Sequence, residues 1–194
     1  AGTDPRNSPA AYPAGFTWDN AADFKPDNAT YPVLDQLGAG VWEYDFRTID
    51  AKLQTLQTAG LLVKQIPAWL ERGDSWSFGI GRPLEGTLSY FGEGNSASSQ
   101  VWTSPVTGPV QMSLKLSVEG TSVPVQVTLT AGTGKQELWS GRLAAGEEPV
   151  TFGREMNAKR GDRIHLTARS ADNQGKWSLR AGWTVTCPQA LKAE

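Results

Sequence analysis

Tryptophans with polar neighbours are the residues of this chain with the most specific recognition chemistry. The sequence has eight tryptophans among 194 residues. The face of an indole ring can pack against the C–H groups of a pyranose, while adjacent polar side chains hydrogen-bond with the sugar hydroxyls. Trp69 and Trp76 are our first choices for such stacking. The full set beside charged or hydroxyl residues, for which core packing is the alternative, is Trp18, Trp69, Trp76 and Trp177.

The other four tryptophans lie in segments that are expected to be strands. Trp42, Trp102 and Trp183 are expected in a core, because a large ring fills a core and its N–H needs a single acceptor. For Trp139, core packing and ligand contact are both open alternatives. The segment 136–143 alternates poorly, so either Leu138 or Trp139 can face inward.

A basic row is expected along one strand near the end of the chain. Alternation puts Arg163, His165, Thr167 and Arg169 on the polar side of that strand, and Arg180 on the same side of a neighbour. Guanidinium groups bind carboxylates through charge-assisted hydrogen bonds, so the row suits a uronate or another acidic sugar. The alternative is that this basic second half packs against the more acidic first half.

Three aspartates at every fourth position, Asp19, Asp23 and Asp27, offer oxygen ligands for a calcium ion. Their spacing is not that of an EF-hand loop, and a solvated acidic loop is the alternative. Cys187 is the only cysteine, which excludes an internal disulfide and a thiolate zinc cluster. Apart from this calcium site we expect no cofactor.

Catalytic patterns are sparse. His165 is the only histidine, and the sequence has neither a Gly-x-Ser-x-Gly nor a His-Glu-x-x-His pattern. A polysaccharide lyase is the main enzymatic alternative, because a His or Tyr can abstract the proton next to a carboxylate that an Arg neutralises. His165, Tyr90 and Arg163 supply those residue types. No carboxylate pair is singled out for a glycosidase, and we expect a protein without catalytic activity.

The elements that position these residues are strands. The second half of the chain alternates apolar and polar residues, which indicates strands with one buried and one wetted face in an antiparallel β-sandwich. The residues expected to face inward are Val110, Met112, Leu114, Leu116 and Val118, then Val125, Val127 and Leu129, then Ile164, Leu166 and Ala168, and finally Trp177, Leu179, Ala181, Trp183 and Val185.

The first half is less regular. Residues 1–28 read as an irregular lead-in, and further strands are expected at 41–46, 61–66, 76–80 and 87–91, with Pro67, Gly73 and Pro83 in turns. A short helix is one alternative for residues 48–60, with Thr48 as its N-cap and Gly60 at its C-terminal end. We expect residues 1–194 to form a single domain.

Composition excludes some partners. The formal net charge is −2, so no general attraction to nucleic acid or to an anionic membrane is expected. No apolar run reaches the roughly 20 residues of a membrane span. The chain starts at Ala1 without a leader, which suggests a mature or excised segment.

Several short motifs carry a resemblance to a known family. They are Gly-Val-Trp-Glu-Tyr at 40–44, Val-Trp-Thr-Ser-Pro at 101–105, Leu-Trp at 138–139, Lys-Arg-Gly-Asp-Arg-Ile at 159–164 and Trp-Thr-Val at 183–185. Together they resemble the carbohydrate-binding-module-like jelly-roll modules of secreted bacterial polysaccharide-degrading enzymes. The resemblance implies an extracellular, non-catalytic module that binds a polysaccharide or oligosaccharide beside the catalytic domains of a larger protein. A structural or protein-interaction β-sandwich is the alternative.

Overall fold

The computed structural model describes residues 11–24, 32–48, 57–58, 68–70, 79–132 and 136–193, with the backbone alone at 45–48, 57–58, 68–70 and 82. These residues form sixteen strands and no helix, and every strand pairing among them is antiparallel. The all-β antiparallel sandwich expected from alternation is therefore confirmed. The described residues include no helix long and apolar enough to cross a membrane.

Two seven-stranded sheets make up the sandwich. Sheet I has the order β13 (Val150–Ala158), β10 (Gly108–Val118), β15 (Lys176–Thr186), β8 (Thr87–Glu93), β7 (Gly79–Leu84) and β6 (Ala68–Leu70), with β2 (Thr17–Asp19) paired to β15. Sheet II has the order β12 (Gln136–Leu143), β11 (Val125–Ala131), β14 (Arg163–Ser170), β9 (Ser96–Thr103), β4 (Gly40–Thr48) and β3 (Val33–Leu34), with β5 (Gln57–Thr58) paired to β4.

The core lies between the two sheets and is filled by the faces that alternation predicted. Along β10 the predicted inward residues are buried except Val118, which is half-buried, while Gln111, Ser113 and Lys115 are exposed. β11, β14 and β15 bury their predicted inward residues. Trp42 and Trp183 meet edge to face with ring centroids 5.3 Å apart. The predicted core positions of Trp42, Trp102 and Trp183 are confirmed, since all three are fully buried.

The lead-in predicted for residues 1–28 is described from residue 11 to residue 24, where it contains β2 and a two-residue strand, β1 (Ala11–Tyr12). β1 pairs with β16 (Leu191–Lys192), so the two ends of the described chain form a small ribbon. A buried carboxylate, Asp35, fastens this segment. It accepts hydrogen bonds from Tyr12 Oη at 2.7 Å and Trp18 Nε1 at 2.9 Å, and from the backbone amides of Leu37 and Ala39.

Several predictions for the first half lie wholly or partly outside the described residues. Of the segment weighed as a helix, Thr48 ends β4 and Gln57–Thr58 form β5, while residues 49–56 and 59–60 are outside. The strand predicted at 61–66 is also outside, and only the end of the one predicted at 76–80 is described. Pro83 was predicted to lie in a turn but lies within β7, at the register shift between Gly81 and Leu84.

The turn itself comes two residues later, at Glu85 and Gly86, which have φ values of 49° and 76°. Two consecutive residues with positive φ are typical of a type I′ hairpin, whose twist matches the paired strands β7 and β8.

Cys187 follows β15 and is fully buried, as predicted for a small apolar residue at the end of the last long strand. Its amide donates to the carbonyl of Phe16, and its carbonyl accepts from the amide of Gly15. Burial raises the pKa of the thiol to about 11.

Candidate functional site

The outer face of sheet II carries a row of short hydroxyl side chains that crosses four strands. Strand register aligns Ser140 of β12 with Thr128 of β11, Thr128 with Thr167 of β14, and Thr167 with Ser99 of β9. Ser99 Oγ and Thr167 Oγ1 are 2.9 Å apart and share a hydrogen bond. Ser140 is exposed, Thr128 and Thr167 are half-buried, and Ser99 is buried.

Further side chains flank this row on both sides. They lie two residues away along each strand, except on β12, where a register shift places Glu137 three residues from Ser140. On one side register aligns Arg142, Gln126 and Arg169, which we call the basic wall. On the other side it aligns Glu137, Thr130 and His165 and continues over Val101 to Glu43, and we call this row the acidic wall. We call the hydroxyl row together with its two walls the hydroxyl groove. Its positions on β9 are buried, so its accessible part spans β12, β11 and β14.

The polar contacts of the two arginines in the basic wall are exposed to different degrees, and Glu137 of the acidic wall accepts a hydrogen bond from Ser140 Oγ at 3.1 Å. Arg169 Nη1 donates to Asn173 Oδ1 at 2.8 Å. Arg142 Nη2 lies 3.5 Å from Asp172 Oδ2, and both side chains are more than half exposed, at 58% and 66%.

His165 Nε2 is 3.1 Å from the carbonyl oxygen of Gly132. Because a carbonyl oxygen only accepts, Nε2 carries the proton in this contact.

The predicted basic row exists, with one exception. Arg163, His165 and Arg169 do lie along the outer face of β14. Arg180 was expected on the same surface, and this is wrong, because β15 belongs to sheet I. There Arg180 Nε donates to Glu119 Oε1 at 2.9 Å.

Arg163 pairs with Glu43, whose strand β4 lies on the other side of β9, so the ion pair passes over β9 beside the acidic wall. This contact joins a base of the second half of the chain to an acid of the first half. At this position the basic second half of the chain does contact the acidic first half, which was the alternative considered for the basic row.

Two of the tryptophan candidates are corrected by their burial. Trp177 points inward from β15 with 2% of its surface exposed, and Trp18 is fully buried, so neither ring is available to stack on a sugar. A methyl group at Gly92 would come within 2.6 Å of the Trp177 ring. Gly92 is therefore needed to let this indole pack beneath β8.

Trp139 lies at the edge of the sandwich and is half-buried. Its ring packs against Phe152 of β13 with centroids 5.9 Å apart, and a methyl group at Gly141 would lie 2.8 Å from it. Trp139 thus joins the edges of the two sheets and lies outside the hydroxyl groove.

The two first-choice tryptophans stay predictions. Trp69 lies in β6, where its backbone pairs with Ile80 of β7 in sheet I. Its side chain and the whole of Trp76 lie outside the described residues.

The aspartates considered for calcium have other partners. Asp19 Oδ1 caps a turn by accepting from the amides of Ala21 and Ala22. Asp23 is buried and accepts from Trp42 Nε1 at 3.0 Å and from the amide of Asp19 at 3.1 Å. Asp27 lies outside the described residues. No group of three or more His, Cys, Asp or Glu side chains in the described part of the chain is placed to hold a metal ion.

The residues considered for a lyase are not brought together. Tyr90 is fully buried between the sheets, donates its hydroxyl hydrogen to Gln100 Oε1, and has a pKa raised by desolvation. His165 and Arg163 lie on the outer face of sheet II. Tyr90 and His165 therefore cannot act on the same substrate atom.

A second concavity opens at the edge of the sandwich, where β12 and β13 lie side by side. This recess has a volume of about 510 Å³. Arg154 Nη1 reaches across the recess to the carbonyl of Leu138 at 3.4 Å and ties the two edges together. Charged, amide and apolar side chains line it: Ala131, Gly132, Gln136, Leu138, Arg154, Glu155, Met156, Asn157, Asp162 and Ile164.

Sequence reasoning missed the hydroxyl row. Alternation along β11 and β14 does place Thr128 and Thr167 outward, but the alignment of the row depends on the order of four strands that are distant in sequence. Only the part of β9 from Val101 onward was recognised from the sequence, and the polar segment 96–100 that precedes it was not.

No protein-family model matches the chain, and no curated protein matches its sequence. Solved structures of similar architecture do match. The CBM36-1 domain of a multidomain xylanase from the hindgut metagenome of Trinervitermes trinervoides is 15% identical with a TM-score of 0.37, covering 60% of this chain and 88% of that one. A family 29 carbohydrate-binding module complexed with mannohexaose is 13% identical with a TM-score of 0.38, covering 76% and 92%.

Rabbit GITRL is 16% identical with a TM-score of 0.33, and its match covers 45% of this chain and 69% of that one. Carbohydrate-binding modules predominate among these similar structures, as the sequence motifs predicted. Identities and TM-scores this low do not identify a ligand.

Proposed function

We propose that this protein binds carbohydrate on the outer face of sheet II, with the glycan chain lying in the hydroxyl groove across the strands. The observation that carries the proposal is the aligned row of accessible hydroxyls at Ser140, Thr128 and Thr167 between the basic wall and the acidic wall.

The chemistry of the groove suits a polyhydroxylated ligand. Each Ser or Thr hydroxyl both donates and accepts, and neighbouring strands lie about 4.8 Å apart, so the row offers repeated hydrogen-bonding positions along its length. The walls add an amide at Gln126 and charged donors at Arg142 and Arg169. Ser99 is buried, so the accessible hydroxyls are those of Ser140, Thr128 and Thr167. These three strands make the accessible row about 9.6 Å long, which exceeds one sugar ring and favours an oligosaccharide or polysaccharide.

The spacing of the carboxylates along the acidic wall does not favour glycosidase chemistry. The two described carboxylates of the acidic wall, Glu137 and Glu43, stand at its opposite ends, about 19 Å apart by strand count. Paired carboxylates in glycosidases are at most about 9.5 Å apart. An accessory role beside a glycan-degrading catalytic domain and an extracellular location stay predictions from the resemblance.

The proposal is tested by filling the groove. Thr128→Gln places a longer neutral side chain on the floor, and Ser113→Gln makes a matched change on the exposed outer face of sheet I. We expect Thr128→Gln to weaken binding about tenfold, or about 1.4 kcal/mol, in titration calorimetry with oligosaccharides selected on a glycan array. Ser113→Gln should bind like the original protein.

Two results would contradict the proposal. The first is a glycan array on which the folded protein binds nothing, which would favour the structural or protein-interaction sandwich. The second is equal weakening by both variants. Weakening by Asn157→Ala but not by Thr128→Gln would place the ligand in the recess between β12 and β13.

A further inference from the structure

The basic wall of the hydroxyl groove has a regular spacing. Arg142 lies on β12 and Arg169 on β14, and Gln126 of β11 stands between them in the same register row. Since neighbouring strands are about 4.8 Å apart, the two arginine positions are about 9.6 Å apart. Register continues the row from Arg169 through Ala97 of β9 to Arg47 of β4, two strands further on.

The opposite wall has a different charge. Glu137 stands across the groove from Arg142, on the same strand, and Glu43 lies at the far end of that wall. Carboxylates on this side disfavour an anionic group there, while guanidinium groups on the other side attract one. Arg163 offsets the charge of Glu43 at the far end, so the groove is polarised across its width at β12, with Arg142 on one side and Glu137 on the other.

The two arginines are suited to bind an external carboxylate. The described partner of Arg169 is the neutral amide of Asn173, which leaves the guanidinium charge uncompensated. Arg142 has an ion pair with Asp172 that is long and exposed, and such pairs contribute little to stability. A ligand carboxylate can therefore replace Asp172 at low cost and bind the guanidinium in a bidentate manner.

The spacing selects among acidic glycans. In an extended glycan with two-fold twist, alternate sugars present the same substituent along the same edge, and one disaccharide spans a length close to that between Arg142 and Arg169. We propose, resting on the carbohydrate binding proposed above, that the groove prefers acidic glycans with a disaccharide repeat and one carboxylate per repeat. Uncharged glycans have no carboxylate for the two arginines. Glycans with a carboxylate on every sugar also bring carboxylates to the acidic wall.

Three oligosaccharides of equal length test the proposal by titration calorimetry at low and high salt. They are a hyaluronan hexasaccharide, in which charged and neutral sugars alternate, an oligogalacturonate with a charge on every sugar, and neutral cellohexaose. We expect the alternating hexasaccharide to bind at least about tenfold more tightly than either of the others at low salt. The preference should decline as the Debye length falls from about 10 Å at 0.1 M to about 3 Å at 1 M salt.

The variants are Arg142→Gln and Arg169→Gln, singly and combined, with Arg154→Gln at the edge of sheet I as the matched control. The combined variant should lose most of the preference for the alternating glycan while its thermal midpoint and any binding of cellohexaose stay unchanged. Arg154→Gln should keep the preference.

Equal binding of the alternating and the fully charged oligosaccharides would overturn the proposed preference for a disaccharide repeat. Tightest binding of cellohexaose would overturn the proposed preference for acidic glycans. Either result would leave carbohydrate binding standing. By contrast, if none of the three bound and the glycan array were also blank, the proposed function itself would fail.

Discussion

Buried carboxylates in the first fifty residues act as hydrogen-bond acceptors for aromatic donors. Asp23 accepts from the indole of Trp42, and Asp35 accepts from the indole of Trp18 and the hydroxyl of Tyr12. Each carboxylate also accepts from at least one backbone amide. From the sequence, Asp23 was considered as a calcium ligand. Its hydrogen-bond donor, Trp42, lies nineteen positions away, so the local pattern does not reveal this contact.

The burial of Asp23 predicts a pH dependence of stability. Desolvation raises its pKa above the ordinary aspartate value, although hydrogen bonds from Trp42 and Asp19 lower it. Between the ordinary and the raised pKa, the folded protein therefore keeps a proton that the unfolded chain releases. The contribution of Asp23 to the free energy of unfolding falls as pH rises through this range. Below and above that window the two states have the same protonation, and the contribution is constant.

Asp23→Asn removes this titration and keeps an oxygen for Trp42 Nε1. In urea unfolding over a pH series, the original protein should lose stability relative to Asp23→Asn as pH rises through the window. Parallel stability curves for the two proteins would show that Asp23 does not titrate with a raised pKa.

At the scale of elements, strand faces follow directly from alternation. The prediction for β10 is tested by two adjacent residues. Leu114 is 1% exposed, and Leu114→Ala should destabilise by about 3 kcal/mol through lost burial and the remaining cavity. Lys115 is exposed on the other face, and Lys115→Ala should change stability by no more than about 0.5 kcal/mol. The opposite ranking of urea midpoints would mean that the faces of β10 are reversed.

The strand that sequence reasoning only partly found, β9, shows what alternation cannot reveal. From Ser96 to Trp102 every residue of this strand is buried, so the strand has no solvent-exposed face to alternate with a buried one. Its serines also do not mark it as an apolar buried strand. Gln100 points into the interior because Asn20 Nδ2 and the Tyr90 hydroxyl both donate to its Oε1. These partners come from distant segments, and a local pattern does not contain them.

At the scale of the whole molecule, the sequence predicted the sandwich and part of the site. Arg163, His165 and Arg169 share one face because they lie on one strand. Arg180 was misplaced because alternation assigns a face within a strand and does not say to which sheet the strand belongs. The hydroxyl groove needs the order β12, β11, β14 and β9, which is fixed by long-range pairing.

The N-terminal segment is part of this long-range structure, and Asp35 is its main fastening. Asp35→Ala leaves buried donors of Tyr12 and Trp18 without an acceptor, and we expect a loss of at least about 3 kcal/mol in urea unfolding. Asp172 is an exposed acid, and Asp172→Ala should cost less than about 1 kcal/mol. Similar midpoints for the two variants would show that β1 and β2 contribute little to the stability of the sandwich.

Cys187 has a consequence for how this molecule can be observed. Its thiol is the only one in the chain, it is fully buried, and its pKa of about 11 keeps it protonated at neutral pH. A thiol reagent can therefore modify it only when the end of β15 opens away from residues 15–16, and the rate of a single mass increment counts those openings. A ligand that binds only the closed protein slows the same reaction in proportion to its occupancy. The chain thus contains its own kinetic reporter, which needs neither a fluorophore nor an immobilised sugar.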